Sequence, residues 1–451
     1  NADRHLADTM FFQQARLIAQ HAGPVLVAQL AAMGMMITDT VVLGHYGTED
    51  LAAVAVGGGI YVAVLFALTG VLQAVSPTVS QLKGAGCDGE IAGALQQCFW
   101  LALCFAVPGV LILLHPDPLL NLSKIEAGVE TRARAYLAVL AWAIPAALCY
   151  RTFYAFCNAL GQTRPLVLIS LGSTLLHAPL SWFLVNRGLG VTGAGMASVI
   201  ISWCTFICGF FYMKTGKALA SYRLLHDWQA PRPAMMRELV RLGLPMGMSN
   251  FVEISSFTLT SLFVAQLGAT AVAGHRVVAN LAAICYMPPL ALAIATLTQV
   301  GFAVGARDWR RARISALAGL ALACAVACLL GGTLWLGENA IVSAYSNDPA
   351  VRSVALSLII YIVGYQIFDA VQTIAAFALR GYKIAFVPML VHLLCFWGVG
   401  LFGGWWLAFR GLAAIAPMGV GGFWLASLLG LALASLLFGA LLWRRIRRDL
   451  S

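Results

Sequence analysis

Long apolar stretches, separated by short polar or basic segments, dominate the chain from residue 22 to residue 443. They do not alternate apolar and polar residues with a period of two, so they predict helices rather than the strands of a membrane barrel. A helix crosses the hydrocarbon core with about 20 mostly apolar residues, because its backbone groups bond one another there. Twelve stretches meet this requirement: 22–45, 51–81, 92–115, 132–158, 164–186, 190–214, 238–267, 271–303, 311–336, 349–379, 386–408 and 418–443.

The pattern of the first half returns in the second half. At a shift of 221 residues, Pro24 falls on Pro245 and Gly84 falls on Gly305 without a gap. The sequence therefore predicts an all-α integral membrane protein, with twelve transmembrane helices in two six-helix lobes related by a pseudo-two-fold axis along the membrane normal. The predicted N-terminal lobe, cytoplasmic linker and C-terminal lobe are residues 1–214, 215–237 and 238–451.

Composition supports a membrane protein and excludes several other classes. Of the 451 residues, 61% are hydrophobic and 10% are charged, whereas soluble domains are about half apolar and about a quarter charged. A water-soluble enzyme, a disordered chain and a nucleic-acid binder are therefore not expected. The opening twenty residues are polar and lack the apolar run of a secretory signal, so no cleaved signal is expected.

The basic residues indicate the orientation in the membrane. With both termini assigned to the cytoplasm, 20 of the 28 Lys and Arg residues lie inside, Arg380 and Lys383 among them, and six lie outside. Cytoplasmic loops carry such an excess of basic residues. We therefore expect cytoplasmic termini, and we interpret the net charge of +10 as topology rather than as binding of an acidic partner.

Three carboxylates stand deep inside apolar stretches: Asp39, Glu253 and Asp369. An acid at the centre of a membrane helix costs about 2.5–3.5 kcal/mol on insertion scales, so such residues usually have a function. One interpretation is a pathway for H+ or Na+, and the other is a hydrogen-bonded packing acid. Polar neighbours favour the pathway, because they supply neutral oxygens for an alkali ion: Thr38, Thr40, Asn250, Ser255, Tyr365, Gln366 and Gln372.

Three further residues are candidates for tuning this chemistry. Arg276 either pairs with Glu253 or extends to the outer surface. His177 lies in an apolar run, where a histidine is more often a packing residue than a functional one. Asp348 precedes Pro349 and is expected to cap the helix that begins there, rather than to serve a site.

The motifs of enzymes and of ATP-driven pumps are missing from the sequence. No helix carries the clustered acids that hold Mg²⁺ for diphosphate chemistry, and no phosphate-binding glycine-rich loop with Lys and Ser or Thr is present. We therefore expect no enzymatic activity and no cofactor, with Na+ or H+ as the coupling ion.

Several motifs resemble those of one transporter family. Residues 39–44 (DTVVLG), 50–54 (DLAAV) and 75–86 (VSPTVSQLKGAG) are similar to the first repeat of the MATE multidrug exporters. Pro245 followed by Glu253, and Asp369 followed by residues 378–383 (ALRGYK), resemble the NorM branch. The resemblance implies export of organic cations in exchange for Na+ or H+. It also implies a second-lobe cation site, with Na+ possible at Glu253 and Asp369, that includes Tyr365, and a role for Asp39 in protonation or drug binding.

Two positions depart from the family pattern. Arg276 stands where the family has a glutamine. Residues 177–181 (HAPLS) replace the usual Asn-x-Pro-Leu-Asn, so that His177 and Ser181 stand where two amides are expected.

The resulting hypothesis is a monomeric cation-coupled multidrug antiporter of the bacterial inner membrane. Its expected partners are the lipid bilayer and cationic amphiphilic small molecules, and no nucleic acid. One alternative is a lipid or polysaccharide-precursor flippase of related architecture, whose binding cavity should be basic. A membrane-embedded transferase is a second alternative, and it requires the metal-binding acid cluster that the sequence lacks.

Overall fold

A computed structural model describes residues 2–123, 126–411 and 416–450, and no β-strand occurs in these ranges. The helices of the first half are α1 (Ala2–Tyr46), α2 (Thr48–Leu72), α3 (Val75–Gly84), α4 (Asp88–Leu114), α5 (Asp117–Ser123), α6 (Ala127–Leu140), α7 (Ile144–Ala159), α8 (Arg164–Leu184) and α9 (Gly190–Thr215). Those of the second half are α10 (Pro233–Val264), α11 (Ala269–Gly305), α12 (Trp309–Tyr345), α13 (Pro349–Gly381), α14 (Phe386–His392), α15 (Gly404–Phe409) and α16 (Val420–Leu450).

Each predicted span coincides with helical structure. Ten helical stretches within the described ranges are long and apolar enough to cross a membrane. One stretch, Arg164–Thr215, contains both α8 and α9. The remaining span, α10, is not among the ten, because Asn250, Glu253 and several hydroxyl side chains lower its hydropathy. These two differences reconcile ten stretches with twelve predicted spans.

Several spans are assembled from more than one helical piece. The fourth span joins α6 to α7 through a 3-10 turn at Ala141–Ala143, and the eleventh joins α14 to α15 through a π-helical segment, Leu393–Gly403. Between α8 and α9 the chain turns at Gly188, whose φ of +89° suits a residue without a Cβ. Such interruptions inside membrane helices commonly occur near functional sites.

The chain divides into two compact units, which we call the first unit (residues 23–247) and the second unit (residues 1–22 and 248–451). Both boundaries fall inside a helix, close to a proline that the sequence repeats: Pro24 in α1 and Pro245 in α10. A proline in a helix cannot donate to the carbonyl four residues earlier, so the helix is weakened there. The six-helix lobes of the sequence prediction and these units share most of their residues.

The part of α1 around Gln14 and Ile18 packs within the second unit. Ile18 is fully buried, Gln14 is 3% exposed, and the Ser315 hydroxyl of α12 donates to Gln14 Oε1 at 3.0 Å. The long apolar stretches of the sequence do not include this segment, because its buried residues stand among polar ones. Of the basic residues counted for the charge bias, Lys124 and the Arg4 side chain lie outside what the structure describes.

The predicted linker, residues 215–237, lies against α4 within the first unit. Gln96 Nε2 donates to the Leu224 carbonyl at 2.9 Å, and Gln96 Oε1 accepts from the Gln229 amide at 2.9 Å. Gln97 also bonds the linker backbone with both ends of its amide: its Nε2 donates to the Ala230 carbonyl, and its Oε1 accepts from the Arg232 amide. Both glutamine side chains are buried, so the linker backbone is held as part of the first unit.

Candidate functional sites

The first unit contains the earliest of the predicted acids, Asp39, near the end of α1. Asp39 is 8% exposed, and Ser181 of α8 donates a hydrogen bond to Asp39 Oδ1 at 2.9 Å. His177, one helical turn before Ser181, places Nε2 at 3.5 Å from the same oxygen. Ser198 of α9 also lies within hydrogen-bonding range of the carboxylate and 3.3 Å from His177 Nε2. Two helices, α8 and α9, therefore supply polar groups to one buried acid on α1.

The two residues of the 177–181 motif that stand where amides are expected, His177 and Ser181, are the ones that contact Asp39. The sequence suggests that His177 and Ser181 cost the first unit two amides. In the structure their side chains replace those amides with an imidazole and a hydroxyl directed at the carboxylate. His177 is 1% exposed. His177 is therefore buried and in contact with Asp39, and its role in transport stays a prediction.

The predicted neutral ligands beside Asp39 are turned elsewhere. Thr38 donates to the Gly34 carbonyl at 2.9 Å, and Thr40 donates to the Met36 carbonyl at 3.0 Å, both within α1. A threonine hydroxyl in a helix commonly bonds the preceding turn in this way. The oxygens near Asp39 come from α8 and α9 instead.

The second unit buries Asp369 of α13 in a chain of hydrogen bonds. Asp369 is 3% exposed, and Gln372 Nε2 donates to Asp369 Oδ1 at 3.1 Å and to Thr373 Oγ1 at 3.0 Å. His392 Nε2, at the end of α14, donates to Gln372 Oε1 at 3.1 Å, because an amide oxygen only accepts. The amide of Gln372 is thus fixed by the imidazole and oriented toward the carboxylate.

Glu253 of α10 lies close enough to Asp369 for a direct electrostatic interaction. The Tyr286 hydroxyl of α11 lies within reach of the Glu253 carboxylate and of the Thr373 hydroxyl on α13. Tyr365 is 4% exposed and interacts electrostatically with both acids. The structure therefore brings together the three residues that the family resemblance assigns to a cation site: Glu253, Asp369 and Tyr365.

A buried arginine completes this cluster. Arg380, at the end of α13, is 3% exposed, and its Nη2 donates to Asn250 Oδ1 at 2.9 Å. Its guanidinium also lies over the Phe377 ring, 4.4 Å from the centroid, and interacts electrostatically with Glu253. Arg380, which the charge bias assigns to the cytoplasmic side, therefore has its side chain inside the protein rather than in a solvated loop.

The positive charge near Glu253 is that of Arg380, and Arg276 takes no part in an ion pair within the described ranges. The Arg276 side chain is exposed on α11, which agrees with the alternative that it extends to the surface. Its neighbour His275 is 3% exposed and is held by Ser261 and by the Trp424 indole, which donates to His275 Nδ1 at 3.2 Å. These contacts make His275 a satisfied packing residue.

Asp348 is confirmed as a helix cap. Its Oδ1 accepts from the Ala350 amide at 2.9 Å, and Pro349 occupies the first turn of α13. Asp348 is exposed, at the opposite end of α13 from Arg380.

Sequence reasoning missed three members of the second-unit cluster: Tyr286, Thr373 and Arg380. A signal existed for Arg380, a charged residue at the edge of an apolar run. His392 is a histidine within an apolar run, and the structure places it against Gln372. Gln366, one turn before Asp369, is 1% exposed and finds no partner for its amide nitrogen or oxygen within the described part of the chain. Its oxygen is of the type that binds alkali ions.

The second-unit cluster does not have the donor set of a transition-metal site. Within the described ranges, no group of three His, Cys, Asp or Glu side chains is placed to hold a metal ion. The available donors are carboxylate, phenol and amide oxygens, which suit a hard cation or a proton.

Comparison with known proteins agrees with this architecture. The family model described as MatE matches residues 24–183 and again residues 245–406. The two matches begin at Pro24 and Pro245, which the sequence repeat superposes, so the internal repeat is confirmed.

Two curated relatives match nearly the whole chain. The "Probable multidrug resistance protein NorM" of Aromatoleum aromaticum is 52% identical, over 97% of this chain and 96% of the relative. The "Multidrug resistance protein NorM" of Vibrio cholerae is 31% identical, over 97% of each chain. Both identities are high enough, over enough of the chain, to establish common family membership.

Among solved structures, the Vibrio cholerae MATE transporter VcmN in the bent form has a TM-score of 0.87 to this chain. It is 16% identical and covers 98% of this chain and 99% of that one. The likeness is one of fold. It confirms the prediction of an all-α membrane protein with twelve transmembrane helices in two lobes.

Proposed function

The chain belongs to the MatE family of multi-pass membrane transporters, and we propose that it exports organic cations by alternating access in exchange for Na+ or H+. The proposed substrates are cationic amphiphilic small molecules, in keeping with the multidrug resistance names of its relatives. The proposed setting is the bacterial inner membrane, with a monomeric protein and both termini in the cytoplasm. The family is one of transporters and not of enzymes.

One observation carries the proposal: Glu253 and Asp369 both lie inside membrane helices, close enough for an electrostatic interaction. Two carboxylates that are close together repel each other when both are ionised, and this repulsion is stronger in a low dielectric than in water. A proton or Na+ relieves the repulsion. The surrounding oxygens of Tyr365, Tyr286 and Gln366 are suitable partners for such a cation.

In the proposed cycle the coupling cation binds at Glu253 and Asp369, with Tyr365 as a neutral ligand. Asp39 in the first unit binds H+ or the organic cation. Ser181 and His177 hold the Asp39 carboxylate in place. Ion entry drives transport only when the ion binds the two conformational states with different affinities. Release of the organic cation follows when the carboxylates are neutralised.

The test compares two neutralising variants with a matched control. Glu253→Gln and Asp369→Asn should each lower ethidium efflux from expressing cells about tenfold or more. Glu338→Gln removes a carboxylate from α12, away from the cluster, and should leave efflux near the wild-type rate. Wild-type efflux in both site variants would remove the basis of the proposal.

The coupling ion is identified in proteoliposomes by imposing a Na+ gradient and a pH gradient in separate experiments. Acceleration by one gradient alone identifies that ion, and transport that ignores both contradicts cation coupling. Binding of an anionic lipid headgroup without any dye transport would support a flippase instead. A flippase needs basic groups that bind a phosphate. In the first unit, Ser181 and His177 instead surround the carboxylate of Asp39.

A further inference from the structure

The second-unit cluster combines two negative charges with one permanent positive charge. Arg380 stays protonated in proteins, since its guanidinium does not lose a proton at accessible pH. It is 3% exposed and interacts electrostatically with Glu253 and Tyr286. A charge buried in this way acts strongly on its neighbours, because the surroundings screen it poorly.

The other titratable groups that face the cluster add no charge. Tyr286 on α11 and Tyr365 on α13 are phenols. His392 on α14 donates from Nε2 to Gln372, while its Nδ1 is buried and finds no partner in the part of the chain that the structure describes. The ring lies against Phe396 and Phe438, so a second N–H would have no acceptor, and the geometry favours the neutral imidazole.

With both acids ionised, Glu253, Asp369 and Arg380 carry a net charge of −1. We propose that Arg380 is a built-in counter-cation that limits this site to one monovalent coupling cation, an inference that rests on the proposed function. One Na+ or H+ brings the cluster to neutrality. A second would leave an uncompensated positive charge within membrane helices, which is costly.

A counter-charge role and a purely structural role for Arg380 predict opposite changes in cation affinity when Arg380 is removed. If Arg380 only ties α13 to Asn250 of α10, its removal should loosen the site and weaken cation binding. If it is a counter-charge, its removal should tighten cation binding and create room for a second ion. The sign of the change therefore separates the two roles.

The experiment counts bound ions on the purified full-length protein in detergent, with radioactive sodium at about pH 8, where free carboxyl groups are ionised. An Asp39→Asn background silences the first-unit acid in every sample. This background should bind one Na+, and Arg380→Lys should also bind one. Arg380→Gln should bind two, with the first bound about ten- to a hundredfold more tightly.

A charge-swap series keeps the test decisive if Arg380→Gln is unstable. Glu253→Gln alone leaves the cluster neutral and should abolish Na+ binding. The double variant Glu253→Gln/Arg380→Gln returns the cluster to −1 and should restore one ion. If Glu253→Gln abolished Na+ binding by disturbing the structure, adding Arg380→Gln would not be expected to restore it.

Arg276→Gln is the matched control, since Arg276 is an exposed arginine of the same unit and its removal should change nothing. Two ions bound with Arg380 intact, unchanged binding in Arg380→Gln, or no restoration in the double variant would each overturn the proposal. If the background binds no Na+, the Na+ form of the proposed function fails. Arg380→Gln must then bind its second proton at a higher pH than the background does, and equal pH values overturn the charge count.

Discussion

Ser181 and His177 show how a single carboxylate is held inside a membrane helix bundle. Ser181 donates to Asp39 across 142 positions of sequence, and His177 approaches the same oxygen. Asp39 is 8% exposed, so little water is available to replace these partners. A buried charged group that loses a hydrogen bond costs more than an exposed one.

Replacing Ser181 with alanine should lower the stability of the detergent-solubilised protein by about 1–3 kcal/mol, because Asp39 loses its shortest hydrogen bond. Thermal unfolding measures the change. Ser173→Ala is the matched control: among the described residues, its hydroxyl, on the same helix, bonds the Ser170 carbonyl of that helix alone. Equal destabilisation by the two variants would show that the hydroxyl at Ser181 has no special partner. Ser181→Asn should retain most of the stability, since an amide also donates.

At the scale of elements, α2 and the first part of α10 pack through glycines within the first unit. Gly243 and Gly247 are four residues apart, on one face of α10. A Cβ on Gly243 would overlap the Val71 carbonyl, and a Cβ on Gly70 would overlap Gly247. Small residues allow membrane helices to approach this closely.

We expect Gly243→Ala to destabilise the protein, because α10 or α2 must shift to admit the methyl group. Gly59→Ala, within α2, should stabilise it by up to about 1 kcal/mol, since alanine favours a helix and nothing lies near the added Cβ. Thermal unfolding of both variants tests the opposite signs. A stabilising Gly243→Ala would contradict the close approach of the two helices.

At the scale of the whole molecule, the orientation in the membrane rests on the basic residues of the loops. With both termini inside, 20 of the 28 Lys and Arg residues are assigned to the cytoplasm. Removing the buried Arg380 from the count leaves a large excess on the same side, so the orientation does not depend on it. Loop charge sets membrane orientation during insertion.

Reporter fusions test this orientation directly. A fluorescent protein fused after α16 should fluoresce, and alkaline phosphatase fused at the same place should be inactive, since each needs its own compartment. Phosphatase fused after Arg410, in a predicted outer loop, should be active. Phosphatase activity at the C-terminal fusion would reverse the assigned topology.

The twelve spans, the two-fold repeat and the three embedded acids were predictable from the sequence, because hydropathy and charge belong to local stretches of chain. The partners of those acids were not, because they come from other helices: Arg380 meets Asn250 across 130 positions. A loop-edge arginine and a buried counter-charge look the same in a hydropathy pattern. Only the packing of α10 against α13 decides between them, and it buries Arg380 against Asn250, close enough to Glu253 for an electrostatic interaction.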